Sequence, residues 1–151
     1  MNQRVAELIF KVADKIGAEV KAYQSGQSLE TISLIITLPN GRKQEVLASE
    51  ITGNEYVRFV SVVRIYTNSQ DLKTNLNFEK ILRINYGSTE GSYAIFDFPS
   101  SDRNTPSPAL VFVSNQYIKT ADFEEIEDKI LTTAQFADEL EKILGGGVDN
   151  F

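Results

Sequence analysis

The chain has 151 residues, enough for one domain with its own core, and 42% hydrophobic with 24% charged residues is the mixture of a globular protein. It contains no Cys and no His, which removes disulfides, thiolate cages, His-ligated metals and the Ser-His-Asp and Cys-His reactions. The net charge of −6 is an excess at one end: residues 1–118 balance 12 acidic against 12 basic side chains, and residues 119–151 carry 9 against 3.

Met1 to Val12 is interrupted by Asn2, Gln3, Arg4, Glu7 and Lys11, so it lacks the apolar run of a signal peptide, and no stretch approaches membrane-spanning length. The expectation is a cytoplasmic protein. Val5, Leu8, Ile9, Val12 and Ile16 recur at three- and four-residue spacing before Gly17, which predicts an amphipathic first helix.

From Glu19 the period becomes two. Val20, Ala22 and Gln24 alternate with Lys21 and Tyr23, Ser25-Gly26-Gln27-Ser28 supplies a turn, and Thr31 to Leu38 follows as a second strand. Ile32, Leu34, Ile36 and Leu38 share one face of it, and Ile35 makes the other face partly apolar, as expected inside a sheet. Pro39-Asn40-Gly41 then turns the chain, Asn-Gly suiting a turn with two successive positive φ angles, so that Lys43 to Ser49 returns alongside.

After Thr52-Gly53-Asn54, Tyr56 to Tyr66 is the longest strand, with Val57, Phe59, Val63 and Ile65 assigned to one face and Tyr56, Arg58, Val60, Val62, Arg64 and Tyr66 to the other. Asn68 to Asp71 reads as a helix start, followed by Leu72, Leu76, Ile81 and Leu82 before Gly87. Gly91 to Phe98 alternates again, Pro99 to Pro108 reads as a loop, and Ala109 to Val113 resumes a strand. Asp122 to Leu144 closes the domain as a long helix with Phe123, Ile126, Ile130, Ala134, Ala137, Leu140 and Leu144 in one stripe.

Strands joined by tight turns are antiparallel. The pattern therefore predicts a single α+β domain over 1–144, an antiparallel sheet of about six strands in the order α-β-β-β-β-α-β-β-α, and a loose tail over 145–151.

Motifs that carry chemistry are weak. Gly145-Gly146-Gly147 follows a helix instead of opening one, so it stops a helix and does not cradle a phosphate. Asp122, Glu124, Glu125, Glu127 and Asp128 lack the spacing and central Gly of a calcium loop and suit a helix N-terminus. No sequence argument places Asp97 or Asp102 opposite a second carboxylate for acid/base work. Tyr56, Arg58, Arg64 and Tyr66, with Lys21 and Tyr23, have the outline of an aromatic and basic platform for nucleic acid, but no RNP signature accompanies them and the acidic chain repels polyanions.

Lys80-Ile81-Leu82-Arg83-Ile84-Asn85, Gly91 to Phe96, Leu110 to Val113 and the helix from Phe123 together resemble the YbjN family, over about half of the chain. That family is similar in fold to the small, acidic, dimeric chaperones of type III secretion. The resemblance implies a chaperone-like domain that holds a partner's extended segment along sheet edges and apolar grooves, although Pro99 to Pro108 is longer than the turn expected there.

The expected function is thus a non-enzymatic, homodimeric protein-binding or regulatory domain with no catalytic residue, cofactor or metal. Leu72, Leu76, Tyr93 and Ile95 are the candidate dimer contact. Tyr56, Arg58, Val60, Val62, Arg64 and Tyr66 are the candidate partner surface. The alternatives are an anionic small-molecule binder using Arg58, Arg64 or Arg83, and a nucleic-acid module.

Overall fold

The computed structural model describes residues 1–26, 28–51, 55–98 and 107–145. The turn residues Gln27 and 52–54, most of the Pro99 to Pro108 segment and the tail from 146 lie outside the described residues. The elements are α1 (Gln3–Ile16), β1 (Glu19–Ser25), β2 (Ser28–Thr37), β3 (Lys43–Glu50), β4 (Tyr56–Ile65), α2 (Ser69–Asn75), α3 (Phe78–Gly87), β5 (Ser92–Phe98), β6 (Ser107–Tyr117) and α4 (Phe123–Gly145). The expected order holds, with two short helices in the middle helical position.

The break between α2 and α3 comes from a second cap. Asn68 accepts from the Gln70 and Asp71 amides to start α2, and Asn77 accepts from the Lys80 amide to start α3. Leu72, Leu76 and Ile81 thereby turn toward the sheet from two directions. Ser107 and Pro108 belong to β6, so the strand starts two residues earlier than expected.

All six strands form one antiparallel sheet in the order β1-β2-β3-β4-β6-β5. The β2–β3 turn differs from expectation in kind. Pro39 fixes a negative φ at its first position and Asn40 does not adopt a positive one, so only Gly41 (φ 82°) is left-handed. Leu38 N–H donates to Arg42 O (2.8 Å) and Gly41 N–H to Leu38 O (2.8 Å), which is the three-residue hairpin that ends in a glycine bulge.

Among the described residues, helices cover one sheet face only. Val5, Ile9 and Val12 of α1 and Ile126, Ile130 and Ala134 of α4 pack on Ile32, Leu34, Ile36, Val46, Ala48, Val57 and Phe59. The far end of α4, through Ala137 and Leu140, meets Leu72, Leu76 and Ile81 over Tyr93, Leu110 and Phe112. At the start of β5, Gly91 lies so close to β6 that a Cβ there would stand 2.4 Å from Val113 O and 2.7 Å from the Phe112 ring.

Polar groups tie α4 to β3 beneath these apolar layers. Asp138 and Glu141 are 2% and 1% exposed. Arg42 Nε donates to Asp138, Arg42 Nη2 reaches Glu141 at 3.2 Å, and Asn40 Nδ2 donates to Asp138 at 3.0 Å. Gln44 Nε2 donates to Glu141 (2.6 Å) while its carbonyl accepts from Ser61 Oγ (3.0 Å). Burial opposes ionisation of Asp138, but donors from Lys142, Arg42 and Asn40 outweigh it and hold its pKa below the ordinary value.

Candidate interaction surface

The β4 strand carries an irregularity that alternation cannot reveal. Val62 pairs with Val111 and Arg64 with Leu110, so β4 advances two residues while β6 advances one. Such a bulge reverses the facing of everything beyond it. Tyr66 is consequently 1% exposed and packs in the core with Val63 and Leu72, whereas Ile65 is 61% exposed and pairs with Ala109.

The expected six-residue partner face is corrected accordingly. Tyr56, Arg58, Val60 and Val62 lie on the sheet face opposite the helices, while Arg64 and Tyr66 turn to the other side together. The Arg64 guanidinium sits 5.4 Å from the Tyr66 ring. Burial raises the Tyr66 pKa, and Asp71, which accepts from the Thr67 amide and hydroxyl, has its own pKa lowered by those bonds.

What remains on the helix-free face is largely apolar in its middle. Val60, Ala109 and Val111 are buried there among Val62, Ala94, Phe98 and Val113. Its end near β4's start is polar and aromatic: Tyr56 and Tyr117 pack at 5.3 Å, and Arg58 donates to Asn115 (3.3 Å). Glu55 accepts from Tyr117 (2.6 Å) and pairs with Lys119 (2.5 Å). The hydrogen bond from Lys119 lowers the Glu55 pKa, and the bond to Glu55 raises those of Tyr117 and Lys119. Lys21 and Tyr23 both lie on β1, three strands from Arg58 on β4.

The expected dimer residues separate by burial. Leu72, Leu76 and Tyr93 are core residues of their own chain, and Ile95 is 40% exposed on β5. Tyr93 Oη donates to Phe136 O (2.9 Å), and burial pushes its pKa up to about 12. A second apolar row, missed by treating the middle segment as one helix, lies outward on α3. Phe78, Leu82 and Tyr86 recur at four-residue spacing and are 42%, 68% and 95% exposed. Glu79 and Arg83 flank this row as an ion pair at 2.7 Å. Between the row and β5 is an apolar cleft of about 140 Å³, lined among others by Phe78, Ile81, Leu82, Tyr93 and Ile95.

No family model matches the chain, and no curated protein matches it. Among the described residues, no helix is long and apolar enough to cross a membrane, and no group of three or more acids is placed to hold a metal ion. Three of the acids that open α4, Asp122, Glu125 and Glu127, have partners. Asp122 accepts from the Glu125 amide (2.8 Å), Glu125 reaches back to the Asp122 amide (3.3 Å), and Glu127 pairs with Lys15 (2.7 Å). Asp97 is exposed on β5, and Asp102 lies outside the described residues. Arg58, Arg64 and Arg83 stand on different faces or elements and do not converge.

Proposed function

We propose that this chain is a non-enzymatic, homodimeric protein-binding domain of the YbjN type, with the chaperone-like fold of type III secretion, acting in the cytoplasm. The observation that carries the reading is the outward row Phe78, Leu82 and Tyr86 beside Ile95. Four large apolar side chains held in water on one small surface mark an interaction site.

In this reading the subunit contact is made by that row and Ile95, supported from beneath by Leu72, Leu76 and Tyr93. An isologous contact must be self-complementary. One acid and one base, Glu79 and Arg83, flank the row, so two antiparallel copies of α3 meet without like charges opposed. The partner then lies on the helix-free sheet face around Tyr56, Arg58, Val60 and Val62. The absence of His and Cys supports a binding role over the common hydrolytic chemistries.

The test is sedimentation of wild type and Leu82→Asp. Leu82 is exposed, so the substitution leaves the fold intact, as far-UV circular dichroism will verify, and halves the mass. A wild-type monomer at micromolar concentration, or an undisturbed Leu82→Asp dimer, overturns the proposed contact.

A further inference from the structure

The outer edge of the sheet at β5 is occupied by a side chain. Asn85, in the last turn of α3, donates from Nδ2 to Tyr93 O (2.9 Å) and accepts at Oδ1 from Tyr93 N–H (2.7 Å). Its carboxamide thus makes both bonds that a neighbouring strand would make to Tyr93. In an antiparallel ladder, successive residues point their backbone groups to opposite sides. With Tyr93 facing outward, Ile95 and Asp97 face outward too, and Ser92, Ala94, Phe96 and Phe98 face β6. The position of Pro108 agrees: it stands opposite Asp97 and its carbonyl accepts from Tyr66 N–H on the β4 side (2.9 Å).

This edge needs protection. Ser92–Phe98 holds Tyr93, Ala94, Ile95, Phe96 and Phe98, one charge and no proline, the composition of a strand that recruits another. The opposite edge has other defences: β1 carries Glu19 and Lys21, an ion pair from Glu19 to Lys43 (3.1 Å), and an irregularity between Tyr23 and Gln24. At β5 the amide of Asn85 stands in their place.

We propose that Asn85 closes the β5 edge against β5 of a second copy. Two such strands pairing antiparallel about Ile95 would oppose Ile95 with Ile95 and Tyr93 with Asp97. The only charge on the strand then faces a tyrosine, so nothing electrostatic resists the pairing. Of the three hydrogen-bonded pairs this register offers, the two outer ones need the Tyr93 backbone that Asn85 occupies. With the amide in place only the central pair can form, too little to hold two sheets together. The inference does not depend on the α3 contact proposed above, because its test counts from whatever mass the wild type has.

Asn85→Ala is compared with wild type by sedimentation over a concentration series, with circular dichroism to verify the fold. The expected result is a species of twice the wild-type mass that grows with concentration, with the Ile95 and Asp97 amides exchanging slowly with solvent only in that species. Adding Asp97→Pro, which removes an outward N–H without disturbing the β6 ladder, should restore the wild-type mass. A folded Asn85→Ala protein at wild-type mass throughout, or doubling that survives Asp97→Pro, overturns the proposal. If Asn85→Ala does not fold, Asn85→Asp keeps the acceptor for Tyr93 N–H and loses only the donor. Partial doubling of that variant supports the proposal, whereas wild-type mass or loss of the fold makes the contact structural and overturns it.

Discussion

Replacing Asp138 with Ala tests the polar layer between α4 and β3. The carboxylate is 2% exposed and takes donors from Arg42, Asn40 and Lys142, the last at 2.5 Å. Its removal leaves a guanidinium of low exposure with one acidic partner fewer, and breaking a buried pair in this way costs about 3–5 kcal/mol. Against a total stability of roughly 5–15 kcal/mol for a domain, that is a large fraction. Urea unfolding measures it directly, as a lower midpoint at unchanged slope. Arg42→Ala should cost a similar amount, and the double variant less than the sum by about 1–3 kcal/mol, because the two residues share one network. The sign with pH follows from the lowered Asp138 pKa: its stabilisation is full above the unfolded value of about 4 and is lost as pH falls below it. Asp138→Ala should therefore lose less stability than wild type on acidification below about pH 4. Additive single costs, or identical acid sensitivity, would refute the coupled network.

Three further outcomes follow from packing. Gly91→Ala places a methyl against the Val113 carbonyl and Phe112 ring and should lower stability by about 1–3 kcal/mol, read as a fall in melting temperature. Leu76→Asp introduces a carboxylate at a core position and should unfold the chain, in contrast to Leu82→Asp, a difference circular dichroism separates. Tyr93, with its pKa raised to about 12, contributes stability that is present below pH ~10 and fades as pH rises to about 12, of order 2 kcal/mol. Tyr93→Phe should flatten alkaline unfolding over that window and cost about 1 kcal/mol at neutral pH through the lost bond to Phe136.

Periodicity carried most of the architecture. Ile32, Leu34 and Ile36 alternate and are buried together, and Ile126, Ile130 and Ala134 do so at helical spacing, because burial of one face is what selects such patterns. The bulge in β4 left no trace in that pattern, since Val62 through Tyr66 are compatible with either facing until a partner strand sets the register. Asn77 could have been read as a second cap, repeating the role of Asn68, and the row Phe78, Leu82 and Tyr86 would then have stood out. Asp138 and Glu141 fall on the same helical stripe as Ala134 and Ala137, which marks them as buried. Their partner Arg42, however, is joined to them only by the fold, and no local spacing announces it.

Sheet order also dictates when the sheet can be completed. The first four strands are neighbours in space as in sequence, so each can dock as soon as it is made. The outer side of β4 is different: Val60 waits for Val113, and β5 has no partner until β6 arrives between them. During synthesis, which proceeds from the N-terminus, the ribosome releases β5 ahead of the strand that must hold it. A stalled or truncated product ending before β6 would present the open outer edge of β4 and an unpaired β5 at once, and limited proteolysis of nascent chains of increasing length should show protection of β5 appearing only once β6 is made, later than that of β4.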